Sequence, residues 1–187
     1  IEIVGIVAED IGYLTVTGVE IYGSSRTESG LTKKSSGPDN RLILGEGAFV
    51  HDLKITESRA TGGAVNVTHD TAVLSNCWVT ANWFTTGGNP AGVFSAGLVT
   101  HTLFTGNYNN NSGNTLLSLS GTAKMRNCVF TGNTIKSNFR GPLNGIISMS
   151  GNAMMENCVI YGNTSAAEKS GDDYAAGNRP RNGGGLY

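Results

Sequence analysis

The sequence predicts an all-β chain folded as a right-handed, single-stranded parallel β-helix of about six coils, cut from a longer rod. Three observations predict it. A segment recurs at intervals near 25 residues, apolar residues alternate strictly inside each copy, and Asn, Gly, Ser and Thr stand wherever the alternation stops.

Four segments align without gaps: residues 75–82, 100–107, 126–133 and 156–163. Residues 19–24 and 52–58 read as two weaker copies upstream. The closing residues Ser24, Ser58, Asn82, Asn107, Asn133 and Asn163 are 34, 24, 25, 26 and 30 positions apart. Within a copy Cys128 and Phe130 face one way, Val129 and Thr131 the other, which is the period of a strand and not of a helix. Further back, Val16, Val50, Leu74, Val99, Met125 and Met155 form one apolar row. An earlier strand supplies Leu42 and Leu44, Val65 and Val67, Ala91 and Val93, Leu117 and Leu119, Ile147 and Met149.

Each unit thus holds three short strands separated by bends, too little to bury an apolar face alone; stacking the units buries it and pairs every strand. At about 4.8 Å per stacked strand, six coils make a rod roughly 29 Å long. The expected coils are 1–30, 31–61, 62–86, 87–112, 113–140 and 141–167, with an incomplete seventh over 168–187. Vertical columns follow from the alignment. Val19, Leu53, Cys77, Thr102, Cys128 and Cys158 form one inward column; Ile21, Ile55, Val79, Phe104, Phe130 and Ile160 form another. Gly18, Asp52, Asn76, His101, Asn127 and Asn157 stack at a bend, where Asn tolerates a left-handed backbone and bonds its neighbour one coil away.

Composition agrees. Only 14% of residues are charged and 27 are Gly, so the polar surface is built from short side chains that suit turns and flat strand faces. Thirteen basic against 14 acidic residues give no basic excess for nucleic acid. No apolar run spans a bilayer, and residues 1–7, though apolar, lack the basic flank and cleavage site of a signal peptide.

These repeats resemble bacterial surface right-handed β-helix proteins of the pectin-lyase-like solenoid type, with paired Gly-Gly-Ala-aliphatic and Phe-x-x-Asn motifs. Chlamydial polymorphic outer-membrane proteins and autotransporter passengers carry them. Gly62, Gly63, Ala64 and Val65 match the first motif; residues 104–107 and 130–133 match the second, and 160–163 nearly so. Residues 183–187 look like the first motif of a seventh coil. The resemblance covers roughly residues 14–187, and residues 1–61 depart from the motifs. It implies export and display, secreted or on a bacterial cell surface, often as an adhesin.

The candidate sites divide into structural and contact residues. Asn76, Asn127 and Asn157, and Asn82, Asn107, Asn133 and Asn163, are expected as structural ladders. Cys77, Cys128 and Cys158, with Phe104 and Phe130, are expected in the core, where a thiol acts as a small hydrophobe. Cys128 and Cys158 are adjacent, but parallel Cβ directions disfavour a disulfide. The three Cys fit no metal spacing, and no metal, cofactor or catalytic residue is expected. His51, His69 and His101 fall at different repeat positions and do not converge.

A β-helix lyase or glycoside hydrolase would need clustered carboxylates on an outward face. The outward residues Asn66, Thr68, Ser118, Ser148 and Ser150 do not titrate near neutrality, and Asp52, Asp70, Asp172 and Asp173 are scattered. The variable stretches 25–40, 83–90, 108–114, 134–144 and 164–182 are read as loops forming one ridge. Trp83, Phe84, Phe139, Arg140, Tyr174, Arg179 and Arg181 are its possible ligand contacts, and Trp78, outward by alternation, is another. The expectation is a non-catalytic adhesin or display scaffold contacting a glycan, a host or neighbouring-cell protein, or copies of itself. The alternatives are a polysaccharide-degrading enzyme with its site in flanking coils, and a self-assembling sheath or surface-layer component.

Overall fold

Coil-to-coil pairing of short strands governs the architecture. The computed structural model describes residues 1–8, 13–32, 41–59, 62–84, 89–109, 115–137 and 145–167. All their strand pairs are parallel, and they build a right-handed parallel β-helix. No helix among these residues is long and apolar enough to cross a membrane.

The chain visits four faces in turn. Face I stacks Tyr13–Val16, Arg41–Leu44, Val65–Val67, Gly92–Phe94, Leu117–Leu119 and Ile147–Met149. Face II stacks Glu2–Ile3, Glu20–Gly23, Phe49–His51, Val73–Ser75, Leu98–Thr100, Lys124–Arg126 and Met154–Glu156. Face III stacks Ile6–Ala8, Gly30–Thr32, Lys54–Thr56, Trp78–Thr80, Leu103–Thr105, Val129–Thr131 and Val159–Tyr161. Face IV, shorter, stacks Trp83–Phe84, Tyr108–Asn109, Thr134–Ser137 and Thr164–Ala167.

On faces II and III the inward rows lie where the alignment places them from the second coil onward. Val50, Leu74, Val99 and Met125 are consecutive and buried on face II. Ile55, Val79, Phe104 and Phe130 are consecutive and buried on face III. The Phe104 and Phe130 rings stack with centroids 4.6 Å apart and planes 3° from parallel, the geometry that vertical translation of one rotamer imposes.

Four expectations are corrected. First, Val19 to Ser24 is not a face III copy. Ile21 pairs with Val50 on face II, and Val16 pairs with Leu44 on face I. The neighbour of Ile55 is Leu31, and the residue below Leu53 is buried Ser29. Gly18 accordingly leaves the Asp52 column and sits at the bend between faces I and II, donating its N–H to Glu46 O at 2.7 Å. A left-handed residue serves at both bends, Gly18 supplies φ +62°, and a glycine fits either, so local pattern does not discriminate.

Second, residues 25–40 are not wholly an insertion. Ser25 to Glu28 make a turn closed by Ser29 N to Ser25 O at 2.7 Å, and Gly30–Thr32 is then a strand of face III. A Cβ at Gly30 would lie 2.4 Å from Lys54 O, so this approach requires glycine.

Third, the register of the fourth coil is shifted by one. Gly92 and Phe94, not Ala91 and Val93, align with Val65 and Val67, and with Leu117 and Leu119. A one-residue slip exchanges the two faces of a strand, so Val93 points outward. The cause is volume. A Cβ at Gly92 would lie 2.8 Å from Phe94 Cε1, so the ring occupies the space that Val65 and Leu117 fill with their own side chains. Ala91 is buried as well, as Ala64, Leu116 and Ile146 are at the same corner.

Fourth, the stretches after each Asn begin as strands, which makes face IV. The alternation continues past the bend, with Ile135 fully buried. The remainders of those stretches, and the expected seventh coil 168–187, lie outside the described residues.

Two ladders hold the corners, by different physics. At the bend between faces II and III, Asp52, Asn76, His101, Asn127 and Asn157 all have φ between 50° and 56°. Their side chains link upward, Asn127 Nδ2 to His101 Nε2 at 3.3 Å and Asn157 Nδ2 donating to Asn127 Oδ1 at 2.5 Å. At the bend between faces III and IV, Asn82, Asn107 and Asn133 are buried. Asn107 Nδ2 donates to Val79 O at 2.9 Å and to Asn133 Oδ1 at 3.0 Å, while its own Oδ1 accepts Asn82 N at 3.1 Å and Asn82 Nδ2 at 3.0 Å. Asn133 and Asn163 repeat the pattern. Here the left-handed residue is the preceding one: Ala81, Gly106, Gly132 and Gly162.

The Asn107→Ala variant strips the acceptor from two buried donors and the donor from a buried carbonyl. It is expected to lose at least about 3 kcal/mol, at about 1–3 per orphaned group, read from urea unfolding midpoints. Asn127→Gly keeps the backbone angle and should change stability by less than about 0.5 kcal/mol, whereas Asn127→Ala should cost about 1 kcal/mol.

Candidate functional site

The outer faces carry in-register columns, because residues at the same repeat position repeat vertically. On face III, Lys54, Trp78, Leu103, Val129 and Val159 form one outward column. Beside it run Thr32, Thr56, Thr80, Thr105, Thr131 and Tyr161. On face IV, Trp83, Tyr108, Thr134 and Thr164 form the outward column, with Arg59 immediately below since Trp83 N donates to Ser58 O.

Both tryptophans are partly exposed, and each has a guanidinium over its ring. Arg59 lies 4.0 Å from the Trp83 centroid and Arg26 lies 5.8 Å from that of Trp78. Sequence reasoning found both rings but neither arginine. Arg26 reaches Trp78 only because residues 25–28 form a turn, and Arg59 meets Trp83 because 24 residues separate vertical neighbours there. The side chain of Phe84, and Phe139, Arg140, Tyr174, Arg179 and Arg181, lie outside the described residues.

Arg26 also begins a polar chain that crosses three coils. Its Nη1 donates to Asn76 Oδ1, and Asn76 Nδ2 donates to Asp52 Oδ1. Asp52 Oδ2 lies 2.5 Å from His51 Nδ1, and His51 Nε2 lies 3.0 Å from Glu20 Oε1. The His51 ring stacks with Phe49 at 4.4 Å and with Tyr22 at 5.5 Å between centroids. Burial pulls the His51 pKa down, but the hydrogen bonds and charges of Asp52 and Glu20 outweigh it and leave it above 6.5. Burial likewise pushes Asp52 up, and the bonds from His51 and Asn76 with the charges of His51 and Arg26 outweigh it and leave it below 3.8. Both ring nitrogens of His51 are engaged by carboxylates, so the ring bridges adjacent coils and its protonated form is favoured there.

The other histidines stay apart from it. His69 closes a turn through Thr71 Oγ1 at 2.9 Å, and His101 is a rung of the bend ladder, bonded to Thr100 Oγ1 at 2.9 Å. Among the described residues no group of three or more His, Cys, Asp or Glu is placed to hold a metal. A small cleft lies between Leu31, Thr32, Ile55 and Thr56 on one side and Arg41, Leu42 and Ala64 on the other.

The inward column after the left-handed bend is more than apolar filling. Cys77 Sγ donates to Ser75 O, Cys128 Sγ to Arg126 O and Cys158 Sγ to Glu156 O, each at 3.2 Å, and Thr102 Oγ1 donates to Thr100 O at 2.9 Å. From the third coil onward the position takes a small side chain with a donor, a signal visible in Thr102 standing among the cysteines, whereas Leu53 fills it in the second coil. Burial pushes Cys77 up to about 12. The neighbouring Cys158 thiol, and then burial, push Cys128 well above the ordinary thiol value, while the same neighbour brings Cys158 below it.

Comparison with protein-family models, curated proteins and solved structures returns no match.

Two outcomes follow from this geometry. Because the folded pKa of His51 lies above its ordinary 6.5, its contribution to stability is fully present below that value and is lost as pH rises through the folded pKa. Asp52, held below 3.8, contributes above that value and loses its share as pH falls through its folded pKa. Urea midpoints between about pH 5 and about pH 9 should therefore decline on the alkaline side in the wild type, and His51→Gln should flatten that decline. Cys77→Thr should unfold at nearly the wild-type midpoint and Cys77→Ala earlier, since only threonine restores the donor to Ser75 O.

Proposed function

We propose that this chain is a non-catalytic extracellular or cell-surface rod, an adhesin or display scaffold, built from the bacterial surface repeat that its Gly-Gly-Ala-Val and Phe-Thr-Gly-Asn segments resemble. The observation that carries this reading is the pair of arginine-covered tryptophans, Trp78 and Trp83, projecting outward from neighbouring faces. A rigid stack fixes such rings at low entropic cost, and aromatic rings beside guanidinium groups bind the apolar faces and hydroxyls of sugars as well as protein side chains. The contact surface in this reading is the set of strand-face columns together with the variable segments at the corners. Glycan is the first expected partner, with surface protein or a second copy as others.

A glycan array and a cell-binding assay test it. Trp83→Ala and Trp78→Ala should each weaken retention by about tenfold or more, the scale of an interface anchor, while truncations of 83–90 and 164–182 report the corner segments. Retention unchanged in both tryptophan variants and both truncations would sink the reading. Depolymerisation of a bound polysaccharide, such as polygalacturonate, in the same assay would move the chain to the enzymes.

A further inference from the structure

Cys128 and Cys158 are vertical neighbours in the inward column. Val159 N donates to Cys128 O at 2.9 Å, and Cys128 N–H points at Cys158 Sγ, 3.4 Å away. Both sulfurs adopt one rotamer, since each faces the carbonyl two residues earlier at 3.2 Å. The two thiols are therefore related by the coil translation, roughly 4.8 Å.

That spacing separates two kinds of thiol chemistry. A disulfide needs sulfurs about 2.05 Å apart and converging Cβ atoms. The column provides parallel Cβ directions and more than twice that distance. An ion held midway between two thiolates needs them about 4.6 Å apart, twice a metal–sulfur length of about 2.3 Å. A coil translation of roughly 4.8 Å meets that requirement with no strand displacement. Soft thiolates select soft ions such as Cu(I) over hard oxygen-seeking ones. Cys77 lacks a thiol neighbour, because Leu53 lies below it and Thr102 above.

We propose that Cys128 and Cys158 form a two-thiolate clamp for one soft, two-coordinate cation of the Cu(I) and Ag(I) class. Binding makes two metal–sulfur bonds and releases the thiol protons to solvent; no electron is transferred.

Ag(I) titrated anaerobically into the reduced chain tests the clamp, followed by native mass spectrometry and by the ultraviolet absorbance of the metal–thiolate bond. The expected result is one tightly held ion per chain, retained in Cys77→Thr and lost in both Cys128→Thr and Cys158→Thr. Threonine is chosen because Thr102 already occupies this column, and circular dichroism confirms that each variant keeps its sheet. No bound ion in the wild type overturns the proposal, as does a one-to-one complex that survives Cys158→Thr or disappears in Cys77→Thr. A Cys128–Cys158 disulfide in air-exposed protein, read as loss of two hydrogens in mass, also overturns it, because the sulfurs then converge.

Discussion

Each coil must climb by one strand spacing and return to its starting azimuth, and everything else in the molecule follows from that constraint. It places residues 20 to 30 positions apart directly above one another and confines differences in coil length to the corners. It also removes the freedom to choose neighbours. Phe104 meets Phe130, and a thiol meets a thiol, because translation leaves no other partner. Interior volume must therefore be balanced within a coil. Gly92 and Phe94 show this, the missing side chain of one accommodating the ring of the other.

The corners present the polar problem of the fold. A strand that bends sharply leaves backbone donors and acceptors turned toward the core, and an unpaired buried group costs about 1–3 kcal/mol. Two solutions coexist. Where the bend faces solvent, a left-handed Asn, Asp or His is itself the corner and its side chain links the coils outside. Where the bend faces inward, a left-handed Gly or Ala precedes a buried Asn whose amide satisfies the strand below and the Asn above. The donor column of Cys and Thr completes the first corner from within. Stability of the stack and regularity of its outer faces thus have a common source, and the outer columns that support the proposed contact role inherit that regularity.

Much of the repeat was legible before any coordinates. The two Asn ladders, the left-handed angles at Asn76, Asn127 and Asn157, the inward thiols and the Phe104–Phe130 neighbourhood all follow from aligning the segments. Strand period and turn chemistry are local properties, and local properties survive in sequence. Three features escaped. The first coil was misregistered because Gly18 fits either of two bends. The fourth coil slipped by one because Ala91 and Val93 alternate as convincingly as Gly92 and Phe94. Face IV was hidden because it opens with residues as unlike as Trp83, Tyr108 and Thr134.

The candidate site divides along the same line. That Trp78 and Trp83 project outward is written in the alternation; that Arg26 and Arg59 lie over them, and that Glu20, His51, Asp52 and Asn76 join into one chain, is not. The sequence by itself determined the fold class, the identity of most columns and the residues that turn the corners, because each depends on side-chain period and backbone preference within a few residues. Only the tertiary structure decided the register of the first and fourth coils and the partners of Glu20, Arg26, His51, Asp52 and Arg59. Those choices depend on the volume available inside the stack and on the path of an intervening turn, and neither quantity is carried by any one segment.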